Sequence, residues 1–346
     1  MNKSVGTRMR VAVVGAGQAS APHLQSLEDL GAEVELAWVV ARSTERLAGL
    51  KLPAGTATST RLEDVLEDPS VQAVLVLTPP NTHGDIVQRL AQAGKHVLVE
   101  KPLDVSLDKA EQMVAVCEQH GVKLAVMLQH RMRDAAGTLA QLVAGGDLGS
   151  LVSASASVRW WRPQSYYDEP GRGTLARDGG GVLMTQAIHT LDLLLCLTGM
   201  PDKVIALAST SALHHMECED TVVALLHYAN GAVANIDATT AAYPGFPEHI
   251  ALNFTLGSAT LEAGELQAEL LDGQKIHAGE KQASGSGANL MAFDHQAHRA
   301  VLQDFVNAIR SNTDPAVTGR SALQVHRLIT AMMASSASGA AVSLLR

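Results

Sequence analysis

Val11-Ala12-Val13-Val14-Gly15-Ala16-Gly17-Gln18-Ala19-Ser20 is a short β-branched run that ends in a Gly-x-Gly-x-x-small turn. Four apolar residues in a row suit a strand buried on both faces of a parallel sheet. Gly15 permits the tight turn, Gly17 lets a diphosphate approach the backbone at the N-terminus of the next helix, and Ser20 is small enough for helix and strand to pack. Alone, such a turn is weak evidence. Its position gives it weight, because similar runs recur at 36–40, 73–77, 97–99 and 124–128. Each is separated from the next by a segment long enough for a helix, which is the alternation of βαβ units. Segments 83–93 and 108–120 carry apolar stripes of helical period and stop at Gly94 and Gly121.

After about residue 150 the period changes to two, as in Leu151-Val152-Ser153-Ala154-Ser155-Ala156-Ser157-Val158, the mark of an antiparallel strand. Further strands are expected at 204–208, 221–227, 232–238 and 250–256, with Asn230-Gly231 as a hairpin turn. Helices are expected at 185–197, after Gly179-Gly180-Gly181, and at 298–310, while 284–287 reads as a flexible loop. The expected fold is α/β: a Rossmann dinucleotide-binding domain over residues 1–130, then an α+β domain over 131–346 with an open, mainly antiparallel sheet. The last helix, from Ser321, is expected to return toward the first domain.

The chain of 346 residues fits two domains of common size, and 47% apolar against 18% charged residues allows a large core. A net charge of -9 with no basic stretch argues against a nucleic-acid partner. Cys117, Cys196 and Cys218 are widely spaced and odd in number, which fits a reducing, cytoplasmic compartment better than a disulfide framework or a cysteine zinc site. No metal site is expected; the run His214-His215-Met216-Glu217-Cys218 lacks matched ligand spacing. Residues 1–10 lack the apolar stretch of a secretory signal, and His326 and Arg327 interrupt the Ala-rich end of the chain, so no membrane partner is expected.

Three strand ends carry chemistry. After the second strand the chain reads Ala41-Arg42-Ser43, where an NAD enzyme usually offers a carboxylate to the ribose 2′-hydroxyl. Without that carboxylate, and with a cation and a hydroxyl beside it, the site favours the 2′-phosphate of NADP, with NAD possible. After the third, Thr78 and Asn81 suit cofactor ribose or phosphates, or cap the following helix. After the fourth comes Glu100-Lys101-Pro102. A lysine at this strand end, oriented by a neighbouring carboxylate, is placed to donate or accept a proton beside a nicotinamide.

Gly15-Ala16-Gly17, Pro80-Asn81-Thr82-His83, Glu100-Lys101-Pro102, Trp161-Arg162, and Asp178-Gly179-Gly180-Gly181 leading to Thr185, His189 and Asp192 occur in that order. The series resembles the family that includes glucose-fructose oxidoreductase, inositol dehydrogenase and the rhizopine-catabolism proteins (Gfo/Idh/MocA). The resemblance implies a dehydrogenase or reductase acting on a secondary alcohol or ketone of a sugar, polyol or cyclitol. It implies that Lys101 and His189 form the acid/base pair, and that Trp161 and Arg162 approach the cofactor. Gln18, Ala19, His83, Glu100 and Gln129 are its further implied cofactor contacts. Where the family often has Asp or Asn, this chain has Thr185, whose hydroxyl can position a substrate but cannot serve as an anionic base. Tyr166 and Arg177 are expected to line the substrate pocket. A homodimer or homotetramer through the open sheet face is implied as well. Two other classes stay open: a cofactor-sensing regulator without catalysis, and a glycosidase that uses nicotinamide for transient oxidation.

Overall fold

The computed structural model describes residues 8–17, 19–281, 286–287 and 294–344. The chain divides into two compact units, residues 1–129 with 294–322, and residues 130–293 with 323–346.

In the first unit a six-stranded parallel sheet has the order β3-β2-β1-β4-β5-β6. Its strands are β1 (Met9–Val14), β2 (Val34–Val40), β3 (Ala57–Ser59), β4 (Ala73–Val76), β5 (His96–Val99) and β6 (Leu124–Val126). Helices α1 (Ser20–Asp29), α2 (Thr44–Ala48), α3 (Glu63–Leu66), α4 (His83–Gln92) and α5 (Leu107–Gln119) connect them. All four residues of β4 are buried, as a central parallel strand covered on both faces requires. The sequence pattern missed β3, a three-residue edge strand with no apolar run to reveal it.

The second unit holds α6 (Asp134–Gly145), β7 (Leu151–Arg159), α7 (Gln164–Tyr167), α8 (Leu175–Asp178), one π-helical turn at Leu183–Ala187 and α9 (Ile188–Thr198). Its strands continue as β8 (Lys203–Ser209), β9 (Thr221–His227), β10 (Val233–Thr239), β11 (His249–Phe254), β12 (Gly257–Glu262), β13 (Glu265–Leu270) and β14 (Lys275–Ala278). After α10 (Gln296–Ser311) and α11 (Gly319–Ser338), β15 (Val342–Ser343) adds to β8 at the sheet edge. The nine-stranded order is β14-β13-β12-β11-β7-β10-β9-β8-β15. All neighbours are antiparallel except β7 and β10. Strands β12 to β14 were not foreseen; they follow β11 through short turns and mix small and charged residues on one face. The stretch Leu175–Thr198 is long and apolar enough to cross a membrane, but 83% of its most apolar window is buried in this unit, where α9 is the buried helix.

The last helix, α11, opens in the first unit, where Arg320 pairs with Glu118, and belongs to the second from Leu323 onward. α10 lies against α1 and β5. The reason is amphipathy: Val301, Leu302, Phe305 and Val306 are all buried on one face of α10. Val317 and Thr318 then pair with β6 and cover that edge of the parallel sheet. Phe305→Ala, at a fully buried position, should therefore lower unfolding stability by about 3–5 kcal/mol. Urea denaturation checks this, and a loss below about 1 kcal/mol would show that α10 does not seal this core.

Candidate active site

The three strand ends that carry chemistry are neighbours in the first sheet, because β1, β4 and β5 lie side by side. Gly15 adopts φ +111, and a Cβ on it would fall 2.7 Å from the backbone carbonyl of Leu77. Only glycine lets the end of β1 lie directly on the chain leaving β4. At Gly17 a Cβ would meet nothing within 4 Å, so open space stands over the start of α1. Ala19 is the residue before α1, and the hydroxyl of Ser20 donates to the Gly17 carbonyl at 2.7 Å. Gln18 lies outside the described residues.

A cavity of about 290 Å³ opens over this turn, lined by Gly15, Gly17, Ala41, Arg42 and Thr78 among others. Arg46 and Arg89 line it too, and no carboxylate does among the described residues. Arg46, one helical turn after Arg42, is a cation that the sequence reading missed. Ser43 stands beside the cavity as the cap of α2, accepting from the Arg46 amide at 3.3 Å. Gln129, just past β6, has a buried side-chain oxygen with no hydrogen-bond partner among the described residues. Open space at Gly17, cationic walls and an orphaned acceptor at another strand end fit a dinucleotide across these ends.

Three expected contacts turn elsewhere. Asn81 is exposed and borders a different, polar cavity with Asp85, Asp104 and Lys109, because the tight turn Pro80–Thr82 points it away from the glycine loop. His83 is buried: its Nε2 faces the Thr78 carbonyl at 2.8 Å, and its Nδ1 faces those of Pro102 and Leu103 at 3.0 and 3.1 Å. It braces the chain after β4 against the chain after β5. Burial pushes the His83 ring toward its neutral form, opposed by the three carbonyls.

Glu100, expected at the cofactor, turns toward α1 and accepts from the buried His23 Nε2 at 2.6 Å. Its other oxygen accepts the Lys101 backbone N–H at 3.1 Å, so it orients Lys101 through the main chain. His298 of α10 stacks edge-on to His23 at 5.3 Å. Burial alone would raise the Glu100 pKa, but the His23 hydrogen bond and the nearby His23, His298 and Lys101 charges overcome it and hold the carboxyl at about 2. The three ligand atoms of His23, Glu100 and His298 lie within 4.8 Å of one another. The His23–Glu100 hydrogen bond closes one side of this cluster. Lys101 itself is half-buried just past β5.

In the second unit the Arg162 guanidinium faces inward. It donates to the carbonyls of Trp161, Gly287 and Ser286 at 2.8, 2.9 and 3.3 Å and lies over the Trp160 ring. It is a buried clamp on these carbonyls. Trp161 is half-buried and packs edge-on to Tyr243 at 5.5 Å. His214 continues the clamp, with Nδ1 on Asp220 at 2.7 Å and Nε2 on the Arg162 carbonyl at 2.8 Å. Arg177, expected in the substrate pocket, donates to the Pro170 carbonyl at 2.9 Å. Arg172 instead approaches Tyr166, donating to its hydroxyl at 2.9 Å and lying over its ring.

Thr185 lies in the π-helical turn that leads into α9, and its hydroxyl bonds the Gly181 carbonyl at 2.7 Å and the Gln186 side chain. Its proton is engaged within the turn. The buried Glu219 carboxylate caps this helical run by accepting from the Gly181 and Leu183 amides at 3.1 and 3.2 Å. A Cβ at Gly181 would fall 1.7 Å from the Glu219 carbonyl oxygen. His189 follows in the first turn of α9, buried, with its ring stacked on that of His130 at 4.9 Å. Three residues on, Asp192 accepts from Arg131 Nε at 2.7 Å, so the neighbours His130 and Arg131 engage α9 at two points.

The family model for the oxidoreductase family with an NAD-binding Rossmann fold matches residues 9–128, and that for the Gfo/Idh/MocA C-terminal domain matches 137–260. The 1,5-anhydro-D-fructose reductase of Ensifer adhaerens is 26% identical, over 90% of this chain and 91% of that protein. D-xylose 1-dehydrogenase (NADP(+)) 2 of Haloferax volcanii is 27% identical, over 90% and 93%. The crystal structure of the WlbA dehydrogenase from Bordetella pertussis, in complex with NADH and UDP-GlcNAcA, is 28% identical with a TM-score of 0.84, covering 98% of this chain and 99% of that one.

The Glu100 cluster has a signature in stability. A carboxyl held near 2 in the folded state, against about 4.5 for the free group, stabilises the fold fully above the higher value. That stabilisation is lost as pH falls through this range. Glu100→Gln should flatten the acid limb of a stability–pH curve between about pH 4.5 and 2 and lower stability at pH 7 by about 1–3 kcal/mol. An unchanged acid limb would show that the pair does not hold this charge.

Proposed function

The chain belongs to the Gfo/Idh/MocA oxidoreductase family, and from that premise we propose that it transfers hydride between a nicotinamide cofactor and a secondary alcohol or ketone of a sugar, polyol or cyclitol-like substrate. The observation that carries the reading is the order β1-β4-β5. It lines up the Gly15–Gly17 turn, Thr78 and Lys101 at adjacent strand ends, where open α/β sheets bind their ligands. Gly15, Gly17, Ala19, Thr78 and Gln129 would hold the cofactor, and Tyr166 and Thr185 would contact substrate. A bound nicotinamide supplies hydride acceptance and donation at a carbinol carbon. Lys101 donates a hydrogen bond to the substrate oxygen and stabilises the negative charge that develops there, while His189 accepts the hydroxyl proton. Lys101→Met should lower turnover at least about 100-fold with cofactor affinity changed only a few-fold, measured by steady-state rates and cofactor fluorescence titration. Near-normal turnover would remove Lys101 from the chemistry. A panel of polyols, aldoses and nucleotide sugars supplies the substrate, and release of free reduced cofactor separates a dehydrogenase from a glycosidase.

The cofactor is further proposed to be NADP. The support is the Ala41 position, the arginines at 42, 46 and 89, and the absence of a carboxylate from the described lining of the cavity. Arg42→Ala and Arg46→Ala should each cost about tenfold in kcat/KM with NADP and little with NAD. A clear NAD preference in the unaltered protein would overturn this.

The partner is proposed to be a second copy of the chain. On the open face of the second sheet Ile205 pairs with Leu225 and Leu207 with Val223, at 51%, 58%, 72% and 51% exposure. Val233 extends the patch onto β10. The patch runs over three adjacent strands, and the rows beside it carry Lys203, His227, Asn235 and Asp237, an apolar centre with a polar rim. A monomer in light scattering, or an unchanged oligomer in Leu225→Lys, would refute this interface.

A further inference from the structure

One imidazole of the stacked pair in the second unit has no part in the reaction proposed above. His130 lies with its ring plane inclined by 30° to that of His189 and their centroids 4.9 Å apart. Its Nε2 stands 3.8 Å from Glu248 Oε1. That same oxygen accepts from Arg133 at 2.8 Å, and Glu248 Oε2 has no hydrogen-bond partner among the described residues. Both rings and Glu248 are buried. Among the described residues of this unit, Arg131, paired with Asp192 on α9, and Glu262 on β12 also face this region.

We propose that His130 and Glu248 form a positioning pair that keeps positive charge off His189, so that His189 stays neutral and able to accept the substrate proton; this rests on the reading of His189 given above. Two stacked rings at this distance cannot both be charged without strong repulsion. With an effective dielectric near 20, the repulsion separates their titrations by roughly two pH units. Glu248 stands beside Nε2 of His130, so the one proton the pair holds is stabilised on His130. Arg133, on the same carboxylate oxygen, fixes its aim and moderates its pull. Arg131, bound to Asp192 three residues after His189, holds the two rings in register. No proton passes between the ring faces; the coupling is electrostatic.

The test is an NMR titration of His189 in histidine-labelled protein, its signal assigned by loss in His189→Asn. His130→Phe keeps a flat ring in the stack and removes the charge, and Glu248→Gln keeps the shape and removes the carboxylate. His130→Asn replaces His130→Phe should the larger ring disturb the fold. The titration midpoint of His189 should rise by at least one pH unit in both variants, and the acid limb of kcat/KM for oxidation of the most active sugar in the panel should rise with it. An unmoved or lowered midpoint in the folded variants overturns the proposal, because a purely structural role for His130 would leave the titration in place. A midpoint that rises while the rate profile stays put confirms the pair and instead refutes the catalytic reading of His189.

Discussion

Everything at the first unit's strand ends depends on the contact between Gly15 and the Leu77 backbone, which leaves no room for a side chain. The amide of Gly15 bonds the Val40 carbonyl at 2.8 Å, so one glycine fixes the ends of β1, β2 and β4 against one another. His83 extends the same stitching from Thr78 to Pro102 and Leu103, and the position of Lys101 follows from it. The floor of the cavity is therefore main chain, which brings amide groups, not side chains, to a bound anion.

This explains why several residues that look chemical in the sequence turn out to be framework. Chain leaving a parallel strand carries carbonyls that no neighbouring strand accepts into its ladder, and a buried carbonyl must find a donor. His83 faces such a carbonyl after β4, and Arg162 and His214 satisfy loop carbonyls in the second unit in the same way. A motif that recurs in order along the chain thus mixes groups free to meet a ligand with groups that hold the loops presenting them. Sequence order alone does not separate the two; burial and hydrogen-bond direction do.

The alternation of apolar runs and helical stripes made the first sheet legible, because each buried parallel strand reads as a continuous β-branched run. The three-residue β3 and the strands after β11 were not legible, being short or of mixed polarity. At the site, Gly15, Gly17 and Lys101 could be placed because they sit at fixed offsets from strands. His23, Glu219, His130 and Glu248 could not, since their partners lie far along the chain: Glu100 is 77 residues from His23, and Glu248 is 115 from Arg133. The helix expected from 185 begins differently: Thr185 sits in a π turn, and the Gly181 carbonyl takes up its hydroxyl. No periodicity announces that turn; it is set by Gly181 and the cap from Glu219.

The surroundings of the two proposed proton groups differ in a way that divides their labour. Glu100 stays anionic throughout the working pH range, and its charge lies one residue from Lys101. A fixed anion beside a lysine favours the ammonium form, which suits a group that donates a hydrogen bond to a developing alkoxide. His189 has the His130 ring stacked against it, and that second ring has Glu248 beside its Nε2; on the proposed reading this suits an imidazole that accepts a proton. The reverse assignment would ask Lys101 to lose its proton next to a carboxylate and His189 to hold one against a neighbouring imidazole, so both environments oppose it. The proposed division of labour, with Lys101 as hydrogen-bond donor and His189 as proton acceptor, therefore rests on these two surroundings, because the positions of the two residues in the sequence leave both versions equal.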